Sequence, residues 1–462
     1  MRFPVLIISS LIFFDAYLYS QDSLSIRDQS GNSKIINGFV RGGFYSWTDS
    51  KDNKLNVPSA FSDLGLRLET GTIHNFSAFA DLRFRYGTEF SKAVSRFDLR
   101  EAYLTVGGER WKLAVGQKII KWGRCDFTNP TSKLSPQNML SRSPDKEDMD
   151  MGNLLAEASY YPWSAMKVTA IVMPYYRPSV LITEPIPLPA NVTISQPATL
   201  FTGSGMLSFA LKTEFRLDRF DWSLSWFEGY DPLPGIALTA FTVDTTKLIP
   251  VPHIGLDIKP YKLHMAGMDF ETTAGPFGIR GEAALTIPFL PSKTNEYVPL
   301  PELKYAAGLD WAPGIWRFTG EYSGKYVFDF TQALAGSFAE TRIDYEALAA
   351  LFTTPGFDLH EYARQQVSSF NRLYNYQLKR SYHSAGLRAE AELANGKLLP
   401  SVFTMVNLTT RDLLIMPELK VKPSDGLTIS LGAEIYSGRS GSLYDLIDDF
   451  MDGVFLSLRA DF

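Results

Sequence analysis

Cysteine is all but absent from this sequence. Its 462 residues hold one, Cys125, so no disulfide framework exists, and no cysteine follows the N-terminal apolar run to carry a lipid anchor. Histidine is scarce as well: His74, His253, His264, His360 and His383 are scattered over turns, loops and strands. They form no metal-type cluster, and His383 and Ser384, adjacent in a strand, would face opposite sides. An enzyme is therefore not expected, nor a cofactor or metal. Charge of one sign is not in excess either. Lys and Arg number 45 against 50 Asp and Glu, a formal net charge of −5, which gives no basic field for nucleic acid. Long hydrophobic runs are missing too. After residue 20 none approaches the roughly 20 residues that a membrane-spanning helix needs. Membrane-crossing strands survive that exclusion, because alternation conceals their apolar face from any running average.

What is present is aromatic and periodic. Phe, Tyr and Trp make up 13% of the chain, with Phe and Tyr dominant, as in barrels girdled by aromatics at both interfaces. From Phe76 to Tyr86, residues Ala78, Ala80, Leu82, Phe84 and Tyr86 share one parity, and Asp81, Arg83 and Arg85 share the other. Trp316 to Tyr326 and Leu387 to Leu393 repeat the pattern. It closes the chain in GVFLSLRADF, where Val454, Leu456, Leu458, Ala460 and Phe462 oppose Ser457, Arg459 and Asp461. Period-two alternation marks strands with one apolar and one polar face. At the other end, Arg2 supplies a basic n-region, Val5 to Phe14 an apolar h-region, and Tyr19-Ser20 before Gln21 a cleavage site. Residues 1–20 are expected to be a secretory signal peptide.

About eighteen such strands are legible (range 16–18), from 35–47 to 453–462. The connections between them are sorted by length. Every second one is tight, as in GGER from Gly107, LDRF from Leu217, TAGPF from Thr273 and ANGK from Ala394, and suits a hairpin. Most of the others are long: 48–59, 123–151, 174–204, 231–259, 288–300, 328–380 and 438–452. Such sorting belongs to an all-β, transmembrane antiparallel β-barrel with short periplasmic turns and long extracellular loops. Residues 21–34 are then a short periplasmic N-terminal segment and 35–462 the barrel. The final strand is expected to pair with the first and leave no edge.

Signal, amphipathic strands and terminal Phe462 together resemble the Gram-negative outer-membrane barrels. The resemblance implies an outer-membrane location, a lipid surround, and a terminal strand whose Leu458, Ala460 and Phe462 are the signal read by the barrel-assembly machinery. More narrowly, FDLREAYLTV from Phe97 and LAVGQKIIKWGRCDFTNPTSKLSPQNM from Leu113 resemble a hairpin and loop of an uncharacterised, porin-like group of such barrels. That group implies a porin-like channel for passive or facilitated diffusion of small solutes, and general porins leave room for a homo-oligomer.

In general porins the third external loop folds inward to narrow the pore, and 123–151 holds that place here. Asn129-Pro130 and Ser135-Pro136 would stiffen it, and Asp126, Asn129 and Lys133 are its candidate constriction residues. Its SPDKEDMDMG stretch gathers carboxylates of the kind calcium prefers, yet Lys146 sits among them and the spacing fits no EF-hand. The inward parity nominates a charged lumen ladder: Arg67, Asp81, Arg83, Arg85, Asp98, Arg100, Lys112, Lys118, Arg280, Glu282, Arg317, Glu321, Arg388 and Glu390. Opposed basic and acidic walls would orient polar solutes. Adjacent Arg100 and Glu101 cannot both face inward in a regular strand, so a bulge is suspected there. Loops 174–204 and 231–259 are strikingly poor in charge and would pack on each other or cap the barrel mouth, either as a lid or as a vestibule for hydrophobic compounds. YEALAALF from Tyr345 and LHEYARQQVSSFNRLYNYQ from Leu359 read as helical. A non-conducting surface scaffold or adhesin is the remaining alternative.

Overall fold

The computed structural model describes residues 24–27, 33–48, 55–71, 75–182, 191–195, 200–244, 246, 251–333 and 358–462. The expected signal peptide and the helix expected from Tyr345 lie outside them. Eighteen antiparallel strands run up and down in sequence order: β1 (Ser33–Thr48), β2 (Leu55–Thr70), β3 (Phe76–Glu89), β4 (Lys92–Gly107), β5 (Trp111–Lys118), β6 (Asn153–Trp163), β7 (Met166–Met173), β8 (Ser208–Arg216) and β9 (Phe220–Tyr230) form the first half. The second half is β10 (Lys262–Ala274), β11 (Phe277–Pro288), β12 (Glu302–Trp311), β13 (Trp316–Val327), β14 (Ser381–Ala391), β15 (Leu398–Asn407), β16 (Asp412–Ser424), β17 (Leu427–Ser437) and β18 (Gly453–Asp461). The barrel closes where β18 pairs with β1, from Phe39 opposite Asp461 to Ser46 opposite Val454. Gly38 and Phe462 then exchange backbone hydrogen bonds of 2.7 and 2.9 Å. Closure leaves no open sheet edge in the barrel wall, the condition for a sheet in hydrocarbon. A short strand, Leu24–Arg27, pairs with Ser33–Ile36 below the end of β18.

Alternation decides which side each residue faces. Val40, Phe44, Leu64, Leu224, Leu285, Leu387, Leu431 and Leu456 stand exposed on the outer surface. Arg41, Asp63, Asp81, Arg85, Glu282 and Glu321 are buried inside. Near the short turns, Trp111, Tyr160, Phe220, Phe277, Trp311 and Trp316 are exposed aromatics, a belt suited to a membrane interface. At one such turn Gly275 adopts φ +59°, a left-handed geometry that costs glycine little.

The interior is not uniformly polar, as the alternation had implied. In the long-loop half of β6–β11, Leu155, Ile171, Phe227, Leu263 and Met265 point inward and bury Ile120, Trp122 and Leu134 of the segment between β5 and β6. One arc of the lumen is thus filled by an apolar seat. Over the mouth lies a cap. Val192–Ser195, Gly235–Asp244 and Val251–Lys259 form a three-stranded sheet, whose Val192, Ile236, Leu256 and Ile258 pack with Val367 of helix α1 (Leu359–Tyr374). Leu181, Val192, Ile236, Leu256 and Ile258 of the two charge-poor loops are therefore buried against each other and α1. Asn371 ties the helix down: its amide donates to the Ile236 and Glu296 carbonyls and accepts from the Ile236 N–H. A second helix, α2 (Leu443–Met451), lies in the last long loop.

Candidate functional site

The segment between β5 and β6 crosses to the far wall and is held there by two buried carboxylates. Glu282 of β11 accepts from the Thr131 N–H at 2.6 Å, the Thr131 hydroxyl at 2.8 Å and the Arg124 N–H at 3.1 Å. Glu321 of β13 accepts from the N–H groups of Asp126 and Phe127 at 3.0 and 2.9 Å. The WGR turn makes this approach feasible. Gly123 sits at φ +97°, and a side chain there would overlap the Glu282 carboxylate. Around this latch Arg124 pairs with Asp269 (2.7 Å) and Glu271 (2.9 Å), and Asp126 with Arg280 (2.9 Å). Burial, with Glu321 and Glu282 nearby, pushes the Cys125 thiol up to about 12, so it is unreactive.

Farther along, the acidic stretch lies against the opposite, arginine-rich wall. Asp148 is gripped by Arg41 at 2.5 Å and by Arg83, with Ser143 donating at 2.6 Å. Burial alone would raise the Asp148 carboxyl, but Arg41 and Arg83 outweigh it and hold the group well below the ordinary carboxylate range. Asp145 meets Arg41 (3.1 Å) and Arg459 (3.4 Å), and Asp150 meets Lys121 (2.6 Å). These acids are engaged by cations of the wall and the loop rather than gathered round one point, and among the described residues no cluster of metal-ligating groups exists. The suspected bulge is present. Asp81 opposes Glu101 and Leu82 opposes Leu99, so Arg100 is the extra residue. It donates to the Glu147 and Asp150 carbonyls at 2.6 and 3.3 Å, while Glu101 accepts from the Ile119 N–H.

Between the segment and the wall opens a cavity of about 960 Å³. It reaches from Ser179 and Pro232-Leu233, under the cap, to Arg67, Glu390 and Arg459 in the short-turn half. Of the residues nominated by parity, Arg67, Arg83, Asp126, Asn129, Lys133, Arg388 and Glu390 line it. The others lie elsewhere. Glu282 and Glu321 are covered by the segment, and Arg280 pairs with Asp126 and Asp310. Asp81 sits amid Arg67, Arg83 and Arg100, and Arg85 with Asp63 at 2.6 Å and with Glu89. Asp98 pairs with Arg96 and Lys118 with Glu157. Lys112 and Arg317 stand near the short-turn rim, outside the cavity's lining. Arg41, Asp63, Glu418, Lys420 and Arg459 were not nominated, although the same parity singles them out.

This is the fold of an outer-membrane porin-type β-barrel. Solved structures decide it. The chain is similar to OpdK of Pseudomonas aeruginosa with vanillate (TM-score 0.53, 10% identity, 94% of this chain and 99% of that one). It is likewise similar to OccK2 (OpdF) of the same organism in complex with glucuronate (0.53, 9%, 93% and 96%), and to OccAB3 of Acinetobacter baumannii (0.51, 10%, 93% and 98%). No protein-family profile matches the chain, and neither does any curated protein. The porin-type barrel is therefore legible from structure and not from sequence kinship.

Proposed function

We propose that this chain is an outer-membrane channel for diffusion of small solutes, narrowed by the inward segment 123–151. The observation that carries the reading is the cavity itself, about 960 Å³ flanked by charged groups, reaching from beneath the cap to the short-turn half with that segment as one wall. Neighbours of the same fold hold glucuronate or vanillate, solutes small enough for such a space. No bond is made or broken in this function. The residues act through width and field, and binding must be weak enough to permit escape. Export would remove residues 1–20, leave 21–34 on the periplasmic side, and deliver β18, with Leu458, Ala460 and Phe462 on its outer face, to the barrel-assembly machinery. Assembly as a homo-oligomer is compatible with the apolar outer face.

Planar-bilayer conductance of the refolded protein tests this, repeated after excising most of 123–151. Ohmic steps that grow on excision support a channel with that segment as its constriction. Silence from both proteins removes the diffusion reading and leaves a scaffold or adhesin barrel.

A further inference from the structure

The cavity's charges balance, eight cations against eight carboxylates, yet they do not all pair. Arg67 meets Asp81 (3.4 Å), Lys121 meets Asp150 (2.6 Å), Lys133 meets Asp231 (2.7 Å) and Lys420 meets Glu418 (3.4 Å). Arg83 and Arg459 are held by Asp148 and Asp145. Among the described residues two cavity cations have no carboxylate within 4 Å: Arg388 of β14 and Lys146 of the acidic stretch. Both lie against one ring. The Lys146 ammonium is 4.4 Å and the Arg388 guanidinium 5.6 Å from the centre of Phe403. Phe127 stacks edge-on to Phe403 at 4.8 Å and also faces Arg388. Gly386 makes room for it, since a side chain there would overlap the Phe127 ring. Glu434, which acts on Lys146, is engaged by Arg142 at 3.2 Å, and Glu390, two residues along β14 from Arg388, forms no ion pair within 4 Å with either cation.

We infer that Arg388, Lys146, Phe127 and Phe403 form an anion subsite for a small organic monoanion with a flat, apolar body. A carboxylate would satisfy the two uncompensated cations, which otherwise repel each other across the ring, and charge-assisted hydrogen bonds to it are the strong kind. The body would lie on aromatic surface, where a planar ring makes more contact than a puckered one. One cation comes from the barrel wall and the other from the segment, so the subsite bridges the two sides of the cavity. This assignment rests on the channel reading and names the solute class for it.

The test uses full-length protein in detergent, with benzoate, cyclohexanecarboxylate and benzyl alcohol as probes in isothermal titration, and wild type, Arg388→Gln, Arg388→Lys and Lys146→Gln as proteins. Benzoate is expected to bind more tightly than cyclohexanecarboxylate, and benzyl alcohol not measurably. Arg388→Gln and Lys146→Gln should each weaken benzoate by roughly tenfold, with Arg388→Lys retaining most of the affinity. Heat-modifiable migration on gels checks that each variant forms a barrel. Equal benzoate affinity in wild type and both glutamine variants overturns the subsite, as does absence of benzoate binding to the wild type. Conductance measured in parallel separates the two claims: a conducting channel that ignores benzoate loses only the subsite, and a silent barrel that binds benzoate loses only the diffusion reading.

Discussion

Removing the Glu282 carboxylate should release the inward segment. Three hydrogen bonds of 2.6 to 3.1 Å converge on it from Thr131 and Arg124. Bonds to an ionised acceptor contribute about 1.5–3 kcal/mol each. Because they share one acceptor, and because water from the adjacent lumen replaces part of what is lost, the sum is discounted to about 3–6 kcal/mol for Glu282→Ala. At 1.36 kcal/mol per decade, the balance between latched and released segment shifts by roughly two to four orders of magnitude. Glu282→Gln keeps an oxygen acceptor and loses the charge, so about half that effect is expected. Glu321, with its separate pair of bonds, would still hold Asp126 and Phe127. The assay is single-channel recording. Glu282→Ala should give larger and noisier steps, Glu282→Gln intermediate ones, and Glu282→Ala with Glu321→Ala the largest. Wild-type steps from a folded Glu282→Ala barrel would refute the idea that this carboxylate positions the segment.

Gly123→Ala should act in the same direction, because its side chain would overlap the Glu282 carboxylate and its φ of +97° disfavours other residues; increased trypsin cleavage within 123–151 would register it. Asp148→Asn leaves Arg41 and Arg83 undercompensated, so the reversal potential in a salt gradient should move towards anions. The Asp148 carboxyl lies below its unfolded value, so its contribution is complete above about pH 4 and is lost only as pH falls through the lower, folded value. Selectivity should accordingly stay level from pH 7 to about 4.5, and a change near pH 6 would contradict the assignment. Arg142→Ala removes contacts to Glu434 and to the Met451 carbonyl, and should speed amide exchange in α2 without altering the barrel's own strands. Deleting Phe462 removes the closing exchange with Gly38 and should slow barrel formation in a refolding gel assay.

All eighteen barrel strands were legible, because two-sided surroundings impress a period of two on every strand, and the sorting of short and long connections fixed their direction. The bulge at Arg100 was legible for a related reason, two adjacent charges with one inward side between them. The apolar seat was not. In TAIVM, residues 169–173, both parities are apolar, and a lipid-facing residue looks no different in sequence from one packed under Trp122. The cap's strands were read as loop, since alternation in IALTAFTVD says nothing about whether a strand joins the wall or lies over it. Helix α2 had a signal that went unused: Ser442 accepts from the Asp445 N–H, and that spacing before an apolar run marks a helix start. Which charges stay open to solute was beyond parity, because pairing depends on where the inward segment lands. Arg85 and Arg388 share an inward parity, yet one is sealed among Asp63 and Glu89 while the other faces the cavity.

The apolar seat divides labour around the barrel. Root and support of the inward segment rest on the β6–β11 arc, through Ile120, Trp122 and Leu134, whereas much of the cavity wall belongs to β2–β3, β14–β16 and β18. Substitutions at wall positions such as Ser401 or Met416 can therefore change what passes without disturbing that root. A lineage of such barrels could drift from one solute to another through a handful of wall residues, with its architecture left as it stands.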